Sequence, residues 1–196
     1  MSNNNKRSTS ETIMDAAIDL ISEKGYHGVT TEEIAIKSGF TEKTLFRHFQ
    51  TKQNLLESAF HHYHYAEEMQ ALFNYEMTWD LKTDLSTICH RYHEIMYRNR
   101  KIIKISIREM DHLSGFQKST HKHPEQLKKL LTNYFATMTE KGKVIQTDPE
   151  RQAVFFMYSN YGAAIGRIHN DPILESYSIK MLIEGIVENF ARALTP

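Results

Sequence analysis

The stretch that decides the fold is TTEEIAIKSGFTEKTLFRHFQ, which occupies residues 30–50. Thr30 and Glu33 have the spacing of a capping box, in which hydroxyl and carboxylate each accept a hydrogen bond from the other residue's amide. Gly39 supplies the left-handed residue that ends a helix, and Thr41 is a good N-cap for the next one. The stretch therefore predicts two short helices separated by a tight turn, which is the layout of a helix-turn-helix motif.

The second of these helices has one apolar and one polar face. Leu45 and Phe49 lie four residues apart, so they share a face that we expect to be buried. The opposite face carries side chains that can meet base edges and phosphates, namely Glu42, Lys43, Arg47 and His48.

Composition limits the function classes. Lys plus Arg and Asp plus Glu number 24 each, so a polycation that coats DNA is disfavoured. The local charge balance differs from that of the whole chain. Residues 37–52 contain four basic side chains (Lys37, Lys43, Arg47 and Lys52) and one acidic side chain (Glu42), which predicts a small, specific contact area on DNA. A single cysteine, no signal peptide and no apolar run of about 18 residues predict a cytoplasmic protein without membrane association.

The rest of the chain continues with helical spacing of apolar residues. A helix ending near Gly25 precedes the quoted stretch, and a long helix is expected from about Lys52 to Tyr75. Pro124 is expected at the first position of a later helix, and Asp148 is expected to cap another. About nine helices and no strand follow, which predicts an all-α protein. Its three-helix head would span residues 1–52 and its larger helical body residues 53–196.

The first 56 residues resemble the tetracycline-repressor (TetR) family of bacterial transcription regulators. The segments that carry the resemblance are 13–26, 29–35, 38–41 and 44–52, and beyond them only the architecture is similar. The resemblance implies that residues 42–49 form the recognition helix in the major groove of a DNA operator. It implies DNA contacts for Thr31, Thr41, Glu42, Lys43, Thr44, Arg47, His48 and Lys52, with Thr31 and Lys52 on phosphates.

Two residues depart from or complicate the family pattern. Many relatives carry tyrosine where Phe46 stands, and the hydroxyl commonly contacts a phosphate, a bond that Phe46 cannot donate. Glu42 is acidic on the reading face, where it can accept from a cytosine amine or cap the helix N-terminus.

The resemblance also implies a homodimer, which the last two helices of each subunit build as a four-helix bundle. The last two predicted helices carry a patch of small residues and an apolar stripe, which agree with such a bundle. The alternative is that both helices pack only inside one subunit. A palindromic operator would mirror the dimer axis. The expected interface residues are Gly162, Ala163, Gly166, Ile179, Leu182, Ile183, Ile186 and Phe190.

A ligand pocket within each body is the last implication. Its aromatic and methionine side chains suit a hydrophobic or aromatic effector, which would release a repressor from its operator by shifting a conformational equilibrium. His93 or His112 would supply a polar group, and plain core packing is the alternative for every candidate. The candidates are Tyr92, His93, Met96, Met110, Tyr134, Phe155 and Tyr158.

Three other function classes are weaker. Glu109 and His112 form a single Glu-x-x-His pair, whereas di-iron bundles use two, and no glycine-rich phosphate loop or zinc-protease helix is present. We therefore expect no catalysis and no cofactor. A metal-responsive regulator using the 11 histidines is possible, but His61 and His64 lack a carboxylate or thiolate beside them, so no metal site is expected. The head sequence argues against a protein-binding module without DNA contact.

Overall fold

The computed structural model describes residues 7–63, 66–109 and 116–196, without the side chains of 66 and 116–122. Within these ranges the chain forms ten α-helices and one 3-10 turn at Pro172–Leu174, and it contains no strand. The predicted all-α class is confirmed. The helices are α1 (Thr9–Lys24), α2 (Thr31–Ser38), α3 (Glu42–Phe49), α4 (Lys52–His62), α5 (Ala66–Tyr75), α6 (Leu81–Arg98), α7 (Arg100–Glu109), α8 (Phe116–Glu140), α9 (Pro149–Ile168) and α10 (Ile179–Leu194).

Two helix boundaries differ from those expected. The single helix predicted over residues 52–75 corresponds to α4 and α5, and residues 64 and 65 between them lie outside the described ranges. The prediction that Pro124 opens a helix is wrong, because α8 begins at Phe116 and contains Pro124 in its interior. Proline lacks the N–H of an interior helical bond, so α8 is missing one backbone hydrogen bond at Pro124. The part of α8 after Pro124 buries Leu127, Leu131 and Phe135.

The predicted caps of α2 and α3 are confirmed, and α1 begins at a capping box of the same kind. Ser8 and Glu11 form a reciprocal capping box at α1, and Thr30 and Glu33 form another at α2. Thr41 accepts from the Thr44 amide and caps α3, while Gly39 ends α2 at a φ of 75°. These partners are only three residues apart, so local sequence is enough to specify them.

The helices separate into two compact units. The first comprises α1 to α4, α7 and the first residues of α8. Within it α1 packs against α2, α4 and α7, and the second helix of the motif packs against α2 and α4. Its core is mainly aliphatic, and five fully buried side chains are those of Ile13, Ile21, Ile34, Leu45 and Leu55.

The second unit comprises α5, α6, α9, α10, the 3-10 turn and α8 from residue 121 onward. Here α6 packs against α5, α9 and α10, and α9 also packs against α10. Edge-to-face aromatic contacts link three of these helices, because the Phe156 ring lies 6.2 Å from that of Phe135 and 5.1 Å from that of Phe190.

A buried carboxylate fixes the start of α6. Asp84 accepts from the Thr78 amide at 2.8 Å, the Trp79 amide at 2.9 Å and the Tyr134 hydroxyl at 3.0 Å. The Trp79 ring stacks on that of Tyr134, and the Lys141 ammonium lies 4.9 Å from the indole centre. Trp79 has a φ of 63°, which non-glycine residues rarely adopt. The hydrogen bond from its backbone N–H to the Asp84 carboxylate holds it in this conformation.

None of the helices in the described ranges is long and apolar enough to cross a membrane.

Candidate nucleic-acid interface

The motif formed by α2 and α3 presents one face of α3 to solvent. Leu45 and Phe49 are buried in the core of the first unit, as their spacing predicted. Lys43, Arg47 and His48 are exposed on the other side, together with Phe46, which is 43% exposed. Burial of one face therefore fixes the outward direction of the other.

Lys43 and Arg47 form no ion pair within the described part of the chain. The other two cations of this local cluster are already engaged. Lys37 pairs with Asp19 at 3.5 Å, and Lys52 is held by backbone oxygens. Two cations, both on α3, thus remain for an anionic partner.

Thr31 and Glu42 pair with each other. The Thr31 hydroxyl donates to Glu42 Oε1 at 2.5 Å, which joins the first turns of α2 and α3. Thr31 has a single hydroxyl proton and a phosphate only accepts, so a phosphate contact through this side chain requires that bond to be broken. Of the two roles left open for Glu42, the geometry favours a structural one at the helix N-terminus, where a carboxylate is stabilising.

Lys52 has a structural role that the sequence did not indicate. Its ammonium donates to the Tyr26 carbonyl at 2.8 Å and the Val29 carbonyl at 2.7 Å. It also lies 4.2 Å from the centre of the Tyr26 ring. Partial burial lowers the pKa of Lys52, against the opposing charges of Glu109 and Glu33. Two of its three N–H groups are thereby committed to the loop between α1 and α2.

The same loop is held from α7. Glu109 is buried and accepts from the Tyr26 amide at 3.2 Å and from Arg108 Nε at 3.0 Å. Arg108 also donates to the Ile21 carbonyl at the end of α1. Glu109 therefore holds the loop between α1 and α2 against α7. The sequence indicated Glu109 only as part of a Glu-x-x-His pair with His112, which lies outside the described residues.

Three further predicted DNA residues already have polar partners within the first unit. The Thr41 and Thr44 hydroxyl oxygens lie 3.1 Å apart at the start of α3. His48 Nδ1 lies 3.1 Å from the hydroxyl of Ser10, which connects α3 to the beginning of α1. Ser10 is separated from His48 by 38 residues, so no local signal pointed to it.

The predicted pocket residues fall into two groups. Tyr92, His93, Met96 and Tyr134 are buried in the second unit. By contrast, Phe155 is 57% exposed and Tyr158 is 61% exposed on α9. The buried face of α9 carries Ala153, Phe156, Asn160, Ala164 and Ile168, so positions 155 and 158 point away from the interior. Met110 lies outside the described residues.

The predicted dimer residues also differ among themselves. Gly162 faces open space, and an added Cβ would meet nothing within 4 Å. A Cβ on Gly166 would lie 2.6 Å from Leu174 Cδ1, so the Leu174 side chain in the 3-10 turn of the same chain would have to shift. Ile183 is buried within the chain. The others are partly buried, namely Ala163, Ile179, Leu182, Ile186 and Phe190.

Sequence reasoning missed several members of an exposed apolar surface on α9 and α10. It comprises Phe155, Tyr158, Tyr161 and Met181, with Gly162 and Gly185 open to solvent. An exposed set of large apolar side chains on two packed helices is typical of a protein interface.

In the described ranges, no three His, Cys, Asp or Glu side chains come together to hold a metal ion. His64, one half of the histidine pair considered from the sequence, lies outside them.

Comparison with known proteins identifies relatives over the motif and over the whole chain. The family described as "Bacterial regulatory proteins, tetR family" matches residues 13–59. An uncharacterized HTH-type transcriptional regulator, YvkB of Bacillus subtilis (strain 168), is 38% identical over 178 residues, covering 90% of this chain and 92% of that protein.

Solved structures share the fold along nearly the whole chain. The regulator FadR from Bacillus subtilis, in complex with stearoyl-CoA, has a TM-score of 0.74 at 18% identity, covering 93% of this chain and 98% of that one. The SmeT–triclosan complex has a TM-score of 0.78 at 20% identity, covering 97% of this chain and 93% of that one.

Proposed function

Because this chain belongs to the tetR family of bacterial regulatory proteins and is a helix-turn-helix transcription regulator, we propose that it is a homodimeric repressor acting in the cytoplasm. It binds a palindromic DNA operator and leaves it when a small effector binds. Residues 1–52 contact the operator, and residues 53–196 carry the effector site and the dimer interface.

The observation that carries the DNA contact is the face of α3. Lys43 and Arg47 project from a helix whose other side is fixed in the core, and within the described residues neither has an acidic partner. Arginine on such a helix reads guanine by a bidentate bond, and lysine adds phosphate attraction. Thr41 and Thr44 lie at the start of α3 and His48 lies near its end. The Thr31–Glu42 hydrogen bond joins α3 to α2, and Lys52 holds the loop that precedes α2.

The dimer proposal is supported by the exposed apolar surface of α9 and α10. Phe155, Tyr158 and Met181 expose more than half of their surface in the isolated chain. Gly162 and Gly185 leave room for a partner helix to approach closely. Two copies related by a two-fold axis bury this surface and present two α3 helices to successive major grooves.

The buried aromatic and methionine side chains of the second unit support an apolar effector. Tyr92 and Met96 on α6 are buried there beside His93, and Tyr134 is engaged with Asp84. Two proteins of the same fold bind stearoyl-CoA and triclosan, which both contain large apolar groups. The effector would bind more tightly to a dimer conformation in which the spacing of the two DNA-binding heads does not fit the operator, and so would shift the equilibrium away from DNA binding.

The test is selection of bound sequences from random duplex DNA with purified full-length protein at fixed salt. Recovery of a two-fold palindrome, together with a dimer mass by light scattering, supports the proposal. A selected site without two-fold symmetry, or a monomer that binds one half-site, contradicts the dimeric form. Recovery of no sequence by a folded dimer contradicts operator binding by the free protein.

A further inference from the structure

Phe46 is a large apolar side chain beside the cations of α3. It is 43% exposed, and it follows Lys43 by three residues, so the two side chains are neighbours on the helix surface. Arg47 is the next residue and is also exposed. The ring therefore lies beside the two cations that the proposed function assigns to DNA.

The core of the first unit does not use this ring. Leu45 and Phe49 form the buried face of α3, and Phe46 is not a member of the core cluster. Among the described residues, no other aromatic ring contacts that of Phe46. A single exposed apolar side chain is common on protein surfaces, but this one lies on the helix face that the proposed function places against DNA. Its location indicates a contact that forms in the complex.

Helix geometry directs the ring toward base edges. Side chains of an α-helix lean toward its N-terminus, so the Phe46 ring covers the turn that contains Glu42 and Lys43. In helix-turn-helix proteins, the N-terminal residues of the second helix contact base edges in the major groove. A phenyl ring has no hydrogen-bond donor or acceptor, so it cannot pair with a phosphate oxygen.

The major groove offers one apolar group that distinguishes base pairs. Thymine carries a C5 methyl group there, whereas the other distinguishing groups are hydrogen-bond donors and acceptors. The methyl group is therefore the feature of the groove that the Phe46 ring matches.

We propose that Phe46 is a specificity-determining residue, which recognises thymine by contacting its C5 methyl group in the major groove. The thymine lies within two base pairs of the guanine that Arg47 contacts. The reason is that residues 46 and 47 are about 1.5 Å apart along the helix axis, while base pairs are about 3.4 Å apart. This inference rests on the proposed function, because it requires an operator.

Deoxyuridine substitution tests the contact, because uracil differs from thymine only by the missing methyl group. Full-length protein is titrated with the selected palindrome and with duplexes in which one thymine per half-site, position by position, is replaced by deoxyuridine. At one thymine within two base pairs of the guanine, we expect affinity to fall about fourfold for each half-site. This fold-change corresponds to about 0.8 kcal/mol for a buried group of methyl size. The guanine is the one whose replacement no longer matters in Arg47→Ala.

Phe46→Ala completes a double-mutant cycle with this substitution. In this variant the thymine and deoxyuridine duplexes should bind equally, because the ring that contacts the methyl group is gone. The matched control is Ile36→Ala, which removes a 73% exposed apolar side chain from α2. It should keep the fourfold discrimination of the wild type.

A measurement on the wild-type protein keeps the test valid if Phe46→Ala fails to fold. 5-Iodouracil at the identified thymine carries iodine in place of the methyl group, and on irradiation it forms a covalent bond to an aromatic side chain in contact with it. Trypsin cleaves after Lys43 and Arg47, so the cross-link should appear in mass spectra on peptide 44–47, where Phe46 is the sole aromatic residue.

Three results would overturn the inference: no methyl effect within two base pairs of the guanine, the same discrimination by Phe46→Ala as by the wild type, or a cross-link to a different peptide. The operator step separates the two proposals. A selected palindrome without a Phe46-dependent methyl effect contradicts only this inference, whereas selection of no operator overturns the proposed function and this inference with it.

Discussion

The Lys52 ammonium and the Tyr26 carbonyl are joined by a 2.8 Å hydrogen bond, which links the start of α4 to the loop after α1. We predict that Lys52→Met lowers the free energy of unfolding by roughly 1–3 kcal/mol, because the Tyr26 and Val29 carbonyls lose their charged donor. Urea denaturation at fixed protein concentration measures this.

The matched control for Lys52 is Lys43→Met, which removes an exposed cation from α3. We expect Lys43→Met to keep wild-type stability and to reduce the slope of log affinity against log salt by about 0.9 for each bound subunit, because each subunit loses one phosphate contact. If Lys52→Met instead leaves stability unchanged and reduces the salt slope, Lys52 is a phosphate contact and not a loop anchor.

Arg47 is predicted to supply base recognition. Arg47→Ala should reduce affinity for the selected operator by roughly 1–3 kcal/mol, with circular dichroism and dimer mass unchanged, because its exposed side chain supports no core contact. Fluorescence anisotropy with selected and scrambled duplexes measures the ratio of the two affinities. Arg192→Ala, an exposed arginine on α10 with a 3.9 Å contact to Glu188, serves as the control. A proportional loss on both duplexes would assign Arg47 to the backbone of DNA.

His93 is predicted to make the free energy of unfolding depend on pH. Burial lowers the pKa of His93 to about 4 in the folded chain, against about 6.5 when unfolded. Below pH 6.5 the unfolded chain therefore takes up a proton that the folded chain does not, so stability falls as the pH drops from about 6.5 to about 4. This contribution reaches about 3 kcal/mol.

Denaturation of wild type and His93→Gln across this pH range isolates the effect of His93. The variant should lose less stability by about that amount, while His169→Gln, at the exposed end of α9, should follow the wild type. Parallel curves for wild type and His93→Gln would show that folding does not lower the pKa of His93.

Two glycines of α9 should respond oppositely to the same substitution. Gly166→Ala places a methyl 2.6 Å from Leu174 Cδ1, the end of a flexible side chain, so Leu174 must leave its present rotamer and we predict a loss of roughly 0.5–1.5 kcal/mol in stability. Gly162→Ala meets open space within the chain and gains helix propensity of about 1 kcal/mol. If the proposed dimer packs over Gly162, that variant should dissociate at higher concentration than the wild type, which sedimentation measures. Unchanged dimer affinity would place the interface elsewhere.

The sequence predicted those features whose partners lie within one helical turn. Thr30 and Glu33, and Thr41 and Thr44, are three residues apart and cap their helices as expected. The Leu45 and Phe49 face followed from helical spacing alone.

Contacts between distant residues could not be predicted in this way. Lys52 is 26 residues from Tyr26, and Glu42 is 11 from Thr31, so nothing local showed that these polar groups were already paired. The sequence also could not orient α9, because apolar side chains occur around its whole circumference. Phe155 and Phe156 are adjacent in sequence, yet one is exposed and the other buried.

The stacking of Trp79 on Tyr134 gives the protein an intrinsic optical label. Trp79 is the sole tryptophan of the 196 residues, and it lies in the second unit with a lysine ammonium 4.9 Å from its ring. Emission excited at the red edge of the indole band reports on that unit alone, while far-ultraviolet dichroism averages over all helices. Divergence of the two signals during denaturation would therefore reveal whether the first and second units melt together or in sequence.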